Sequence, residues 1–351
     1  MIGDVDELTE LTNGKDNYSL TIPLPFWFSN NYGITLPLVS LVHSDIKFHV
    51  EFNDINLCYK ESPDHYVEVT NFFCLFEKNE YFSQNINGSI ATGEFIYFDI
   101  KNKRLYYNKI NGDFLIPETT NSKFDIIGNT SKFKMQIKNN SNVVQDESYF
   151  KFNTPSIPSA YLLVNYIYLD NDERWKFMNK DHEYLIRTIQ NIPEQTINSI
   201  NTSIKLPIIN PIIELIWRFQ LQSNYEMKDL FNYTSLPLTN SNEFLAKKET
   251  ILLNSQPRTE ISVPEYYTHI QSYQSHLNNS NKGIHSYSFS LFPDDNQPSG
   301  TFNFSKIDHA NLQLTMNKII NYQNPAKIRI YAIQYNIFRI IDGLGGMVFT
   351  S

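Results

Sequence analysis

The sequence predicts an all-β chain built on a duplicated antiparallel sandwich, and three observations carry that prediction. Between Ile284 and Met316, His285, Tyr287, Phe289 and Leu291 alternate with Ser286, Ser288 and Ser290, and further on Leu312, Leu314 and Met316 alternate with Asn311, Gln313 and Thr315. Side chains alternate with period two along a strand, so each run presents one face to a core and the other to solvent or a polar neighbour. A second block of the same pattern lies near the start, where Ile46, Phe48, Val50 and Phe52 alternate with Lys47, His49 and Glu51. After an interruption, each block is followed by a long apolar run with a tyrosine-rich centre, Tyr161 to Tyr168 in one case and Ile328 to Ile337 in the other. Two similar units in tandem account for the recurrence.

The elements follow in order. The tract Leu36 to Asp45 leads into the first alternating run. From Asp54 to Ser156 the chain reads as a separate β-rich insertion, because a structureless loop of that length is unusual in a compact domain. Gly93 to Ile100 and Arg104 to Ile110 are strand-like and joined by Lys101-Asn102-Lys103, while Asn111-Gly112 is a strong two-residue hairpin signal. These features suggest a small meander, with Asn139-Asn140-Ser141-Asn142 as an exposed turn. Asp170 reads as a helix N-cap, with Glu173 three residues on closing a capping box and placing negative charge at the positive end of the helix dipole. Pro298 and Gly300 punctuate the connection between the two C-terminal strands, and Phe302 to Asp308 leads into the second of them.

Several of these blocks resemble, in the same order, the major capsid proteins of nucleocytoplasmic large DNA viruses, the double jelly-roll family. The matching pieces are Ile22-Pro23-Leu24-Pro25-Phe26-Trp27-Phe28, Leu36-Pro37-Leu38, Leu169 to Arg174, His182 to Ile186, Ser286 to Phe289, Gln297-Pro298-Ser299-Gly300, Asn303 to Asp308, and Tyr335 through Gly346. The resemblance covers residues 1–53 and 157–351 and fails between them. It implies a double jelly roll of two antiparallel β-sandwiches. Residues 1–53 and 157–193 would supply the C-terminal part of the first jelly roll, 54–156 a surface insertion, and 194–351 the second jelly roll. In the family the block from Ile22 lies well inside the first sandwich, and here only residues 1–21 precede it. The first jelly roll is therefore expected to be incomplete at its N-terminus. A sandwich missing strands exposes apolar faces and open edges.

What the resemblance implies about function is structural. Three chains would form a pseudo-hexagonal capsomer, and capsomers would tile the icosahedral shell of a large DNA virus, contacting one another and minor capsid proteins, in a virion assembled in the host cytoplasm. A minor capsid paralogue is an alternative within that class. A lectin-like, carbohydrate-binding sandwich is the alternative outside it, because fold alone does not separate the two.

Composition fits this reading. With 351 residues, 41% hydrophobic and 14% aromatic, the chain can build two domains with sizeable cores. The net charge of −8 comes with scattered basic residues, which argues against a direct grip on nucleic-acid phosphates. No apolar run is long enough for membrane insertion, and Met1 to Glu7 is acidic where a signal peptide is basic. The two cysteines, Cys58 and Cys74, read as small buried residues, consistent with a reducing compartment.

No residue pattern supports catalysis, a cofactor or a metal, and the chain is read as a non-enzyme. Asp170, Asp172 and Glu173 are better explained by the helix start than as paired catalytic carboxylates. Asp294-Asp295 could be imagined around calcium, but adjacent carboxylates in a proline-containing turn are usually solvated. His182-Glu183 lacks a second histidine, since Ile186 stands four residues on. His43, His49, His285 and His309 have no metal-ligand spacing, and Gly343, Gly345 and Gly346 read as places for a turn or close packing. The Asn-x-Ser/Thr triplets at Asn87, Asn129, Asn201, Asn232, Asn278 and Asn303 are attributed to an asparagine-rich composition. Trp27 with Phe26 and Phe28, Trp175, and Tyr266-Tyr267 are core or subunit-contact candidates, core being favoured because aromatics dominate sandwich interiors.

Overall fold

A computed structural model describes the chain except residues 1–4, 10–17, 55–56, 58–62, 64, 72–75, 78–79, 100–102, 119–123, 140–143, 146–156, 158, 227, 235–242, 277–282, 323 and 350–351. Cys58, Cys74, Asn278 and the run from Asn140 to Asn142 lie outside the described residues. Strands dominate, and every strand pairing is antiparallel. No helix among the described residues is long and apolar enough to cross a membrane.

The insertion holds β1 (His65–Asn71), β2 (Tyr81–Ile86), β3 (Ser89–Asp99), β4 (Arg104–Asn111), β5 (Asp125–Gly128), β6 (Lys134–Ile137) and the short β7 (Val144–Gln145). It is more than a meander. The strands run β4-β3-β2-β5-β6-β1, and β1 also pairs with β4, so six strands close into a barrel with β7 added beside β1. Closure pairs every edge that an open meander would expose. Phe82, Phe95, Leu105, Tyr107, Ile126 and Met135 fill the interior. The tight hairpin is at Asn87-Gly88, between Ile86 and Ser89, where φ is +52° and +86°, as a primed two-residue turn requires. Asn111-Gly112 does not form the expected hairpin. It ends β4, and Gly112 packs against the backbone of Ile90 and Ala91.

The C-terminal half is a complete jelly roll. One sheet is ordered β13 (Ile284–Ser288), β10 (Pro211–Leu221), β16 (Ala326–Ile341) and β8 (His182–Ile197). The short β14 (Phe302–Asn303) adds to β10, and β17 (Leu344–Met347) adds to β16. The facing sheet is ordered β12 (Gln256–Pro257), β11 (Ala246–Leu253), β15 (Ala310–Met316) and β9 (Asn201–Lys205). Trp217, Phe219 and Ile330 of the first sheet share one core with Ile251, Leu312 and Leu314 of the second. Each such burial contributes about 1.5–3 kcal/mol. Leu312, Leu314 and Met316 are buried as the alternation predicts, and so are His285 and Tyr287.

Two parts of the alternation depart from expectation. Ser286 and Ser290 are buried, because the helical segment Tyr266–Ser275 lies against β13 and Gln271 accepts a hydrogen bond from the Ser288 amide. Leu291 is exposed because β13 ends at Ser288.

The boundary expected between residues 193 and 194 lies within β8, at the place where its pairing with β16 shifts register between Ile192 and Gln195. Residues 41–54 and 159–170 carry no strand, although Ile46–Phe52 alternates and Tyr161–Tyr168 is a long apolar run. No described segment hydrogen-bonds alongside them, and a strand without a ladder leaves its backbone donors and acceptors unpaired.

Candidate assembly surface

The sixteen-residue strands β8 and β16 reach beyond the C-terminal core, and the N-terminal segments dock on that extension. Trp27 lies 5.2 Å from the Phe338 ring and 6.4 Å from the Tyr184 ring, while Phe26 stacks on Phe28 at 5.0 Å and leans on Phe48 at 5.6 Å. Polar contacts fix the junction: the His43 amide donates to the Gly343 carbonyl at 3.0 Å, and the Gly345 amide donates to Ser44 Oγ at 3.0 Å. Gly345 allows a close approach, since a Cβ there would stand 2.6 Å from Leu41 Cδ2 and 2.9 Å from the Phe338 ring and one of those side chains would have to shift.

The helix Asn171–Met178 is capped as predicted, with the Glu173 amide donating to Asp170 Oδ1 at 2.8 Å. Ser40 Oγ donates to the Phe177 carbonyl at 2.7 Å, and His182 stacks on Phe177 with Nε2 2.9 Å from the same carbonyl. His182 is thus held by structure. Trp175 faces solvent, in contrast to the core preference, whereas Tyr267 is wholly buried and Trp27 is half-buried.

Outward from the junction, apolar side chains stand in water. Ile22, Val50, Phe52, Tyr161, Leu163 and Tyr168 are all exposed, and Tyr168 reaches 91%. Exposed apolar runs of this extent on a folded chain mark surfaces that meet other macromolecules. Leu185 and Ile189 continue the exposed apolar surface onto β8, an edge strand whose ladder in the described residues is with β16 alone.

Two ionisable clusters sit in the jelly roll. In the core, Glu249 of β11 accepts from Trp217 Nε1 at 2.9 Å and lies 3.0 Å from His285 Nδ1, joining the two sheets. On the outer face of the first sheet, buried Glu214 lies 2.6 Å from His276 Nε2, while His276 Nδ1 is 3.0 Å from Asp294 Oδ1. The Glu214 hydrogen bond, opposed by burial and aided by both carboxylate charges, pushes His276 up to about 9. Asp294 therefore binds an imidazole and is not simply solvated. Ser299 of the Gln-Pro-Ser-Gly motif closes the preceding loop, its hydroxyl meeting Ser290 Oγ, the Phe292 amide and the Phe292 carbonyl.

Neither cluster is visible in local sequence spacing. Glu214 and His276 are 62 positions apart, and Glu249 and His285 come from different sheets. A polar residue at an inward strand position was the available signal, and His285 carried it.

Residues 173–346 match the sequence model described as large eukaryotic DNA virus major capsid protein, and residues 4–75 match the one described as major capsid protein N-terminus. The chain is 32% identical to probable capsid protein 4 of Acanthamoeba polyphaga mimivirus, over 100% of its own length and 72% of that protein's. It is 30% identical to the major capsid protein of Phaeocystis pouchetii virus, over 56% of this chain and 54% of that one. Against capsid protein 1 of the same mimivirus it is 20% identical, over 100% of this chain and 76% of that one. Together with the jelly roll on which the longer family match falls, these similarities show that the chain belongs to the major capsid protein family of large eukaryotic DNA viruses.

Proposed function

We propose that the chain builds the shell of a large DNA virus by associating in threes into pseudo-hexagonal capsomers that tile an icosahedral surface. The observation that carries this reading is the apolar strip of residues 18–52 and 161–168, held at one end by the β8–β16 extension and otherwise exposed. A jelly roll is stable through its own core, so such a strip is free to be covered by other subunits. The partners are copies of the same chain, neighbouring capsomers and minor capsid proteins. The place of assembly is the host cytoplasm and the destination is the virion. The chain acts through its sides and loops, without catalysis and without contacting nucleic acid.

A minor capsid paralogue is the second reading, favoured by one observation. The chain is 32% identical to one mimivirus capsid protein and 20% identical to another, so its similarity is uneven among capsid proteins of one virus. Quantitative mass spectrometry of purified particles separates the two. A copy number at or near that of the most abundant shell protein is expected for the principal shell subunit, and a copy number far below it supports the paralogue.

A further inference from the structure

His276 follows the helical segment Gln271–Ser275 and has a carboxylate oxygen opposite each ring nitrogen, Glu214 Oε1 at 2.6 Å and Asp294 Oδ1 at 3.0 Å. A neutral imidazole carries one N–H, so it donates to one carboxylate and turns a lone pair toward the other. Only the imidazolium donates to both. Glu214 is 1% exposed on β10, which makes an unmatched carboxylate there costly. Asp294 belongs to the loop between β13 and the Gln-Pro-Ser-Gly turn. That loop is strapped across the outer face of the first sheet, with Pro293 buried beneath it.

We propose that His276 is the bolt of a proton-held latch: as an imidazolium it fastens the loop Leu291–Asn296 to the outer face of the sheet, and loss of its proton releases the loop.

The other charged groups facing the latch fit this role. Arg187 of β8 donates to the Pro293 and Asp294 carbonyls and to Asn296 Oδ1, a second attachment independent of His276. Asp295 is exposed beside it. Release therefore loosens the β10 side of the loop while the β8 side stays tethered. Two features make that movement consequential. The loop presents Leu291, 72% exposed, and Phe292, 59% exposed. Asn296 also lines a small cleft with Trp27, Leu185 and Tyr335, where the N-terminal segment meets the jelly roll.

The sign follows from the raised affinity for the proton. The latch stabilises fully below the ordinary histidine value of 6.5, and that stabilisation is lost as pH rises through about 9. This goes beyond the capsid reading and does not depend on it, because the test follows the loop and not assembly.

Hydrogen–deuterium exchange of the full chain from pH 7.5 to 10.5, corrected for intrinsic exchange, provides the test. Protection in peptides covering 291–297 is expected to fall about tenfold for each pH unit above 9, while peptides covering β15 keep theirs. Asp294→Ala removes the acceptor on the loop and leaves the buried Glu214–His276 pair in place, so the variant folds. Its loop should already exchange several-fold faster than the wild type at pH 7.5. The latch is overturned by loop protection that stays flat to pH 10.5, by a loss shared equally with β15, or by an Asp294→Ala loop that matches the wild type at pH 7.5.

Discussion

Glu249 Oε1 lies 3.0 Å from His285 Nδ1, with both side chains essentially sealed from solvent, and the second Glu249 oxygen accepts from Trp217 Nε1. Glu249 comes from one sheet of the jelly roll, and His285 and Trp217 are paired neighbours on the other, so the cluster is a polar staple through an apolar core. Removing Glu249 leaves the buried Trp217 indole N–H without its acceptor. Glu249→Ala is expected to destabilise the jelly roll by about 1–3 kcal/mol, and Glu249→Gln by less, because an amide oxygen still accepts from the indole. Urea unfolding followed by tryptophan fluorescence measures both, and a loss below about 1 kcal/mol for the alanine variant contradicts the staple.

Glu80 plays a comparable part in the barrel. Its carboxylate accepts from the Glu77, Thr130 and Ser131 amides at 2.8, 2.7 and 2.6 Å, and from Ser131 Oγ at 3.0 Å, pinning the β5–β6 turn. Burial pushes its acidity weaker, but the hydrogen bonds from Ser131, Glu77 and Thr130 outweigh it and hold the carboxyl below the ordinary value of 4.5. The stabilisation is therefore present above pH 4.5 and lost as pH falls through the lower folded value. Glu80→Gln is expected to weaken barrel protection, read by hydrogen exchange over β5 and β6, by about 1.5–3 kcal/mol at neutral pH. The gap from wild type should narrow on acidification. A gap that stays constant from pH 7 to pH 3 contradicts the assignment.

At the junction, Gly345→Val places side-chain atoms where Leu41 and Phe338 already stand. Either the β16–β17 hairpin shifts or the segment around Leu41 lifts away, and overpacking of this kind costs about 1–3 kcal/mol. Limited proteolysis should cut residues 36–53 several-fold faster in the variant, with the jelly-roll core left resistant. Unchanged cleavage would mean that the N-terminal segment is not held by this contact.

Much of the fold was legible because strands with one buried face write their period into the sequence. The alternation at Leu312, Leu314 and Met316 and the cap at Asp170 both map onto the structure as read. Barrel closure was not legible, since the β1–β4 pairing joins residues such as Val67 and Leu105 that no local pattern connects. Of the two Asn-Gly pairs among the described residues, Asn87-Gly88 and Asn111-Gly112, only the first has a strand on each side in register, and turn chemistry alone does not choose between them. Ile46–Phe52 has the period and Tyr161–Tyr168 the apolar run without the strand, because such patterns report a face to be buried and do not supply the neighbour that buries it. Those same two runs make up much of the exposed apolar strip.

The apolar strip is the part of the structure on which the capsid account depends, and it can be changed without touching either core. Val50 and Leu163 are exposed, so replacing both with lysine should alter thermal stability by no more than about 0.5 kcal/mol per site. A larger loss would mean that these residues serve the fold of the single chain.

The most direct test is the light-scattering mass of the purified protein at neutral pH, measured beside Val50→Lys/Leu163→Lys. The account predicts a wild-type particle of three times the 41.1 kDa chain mass and a shift of the variant toward the single chain. A stable wild-type monomer of 41.1 kDa, unaffected by the substitutions, would contradict it.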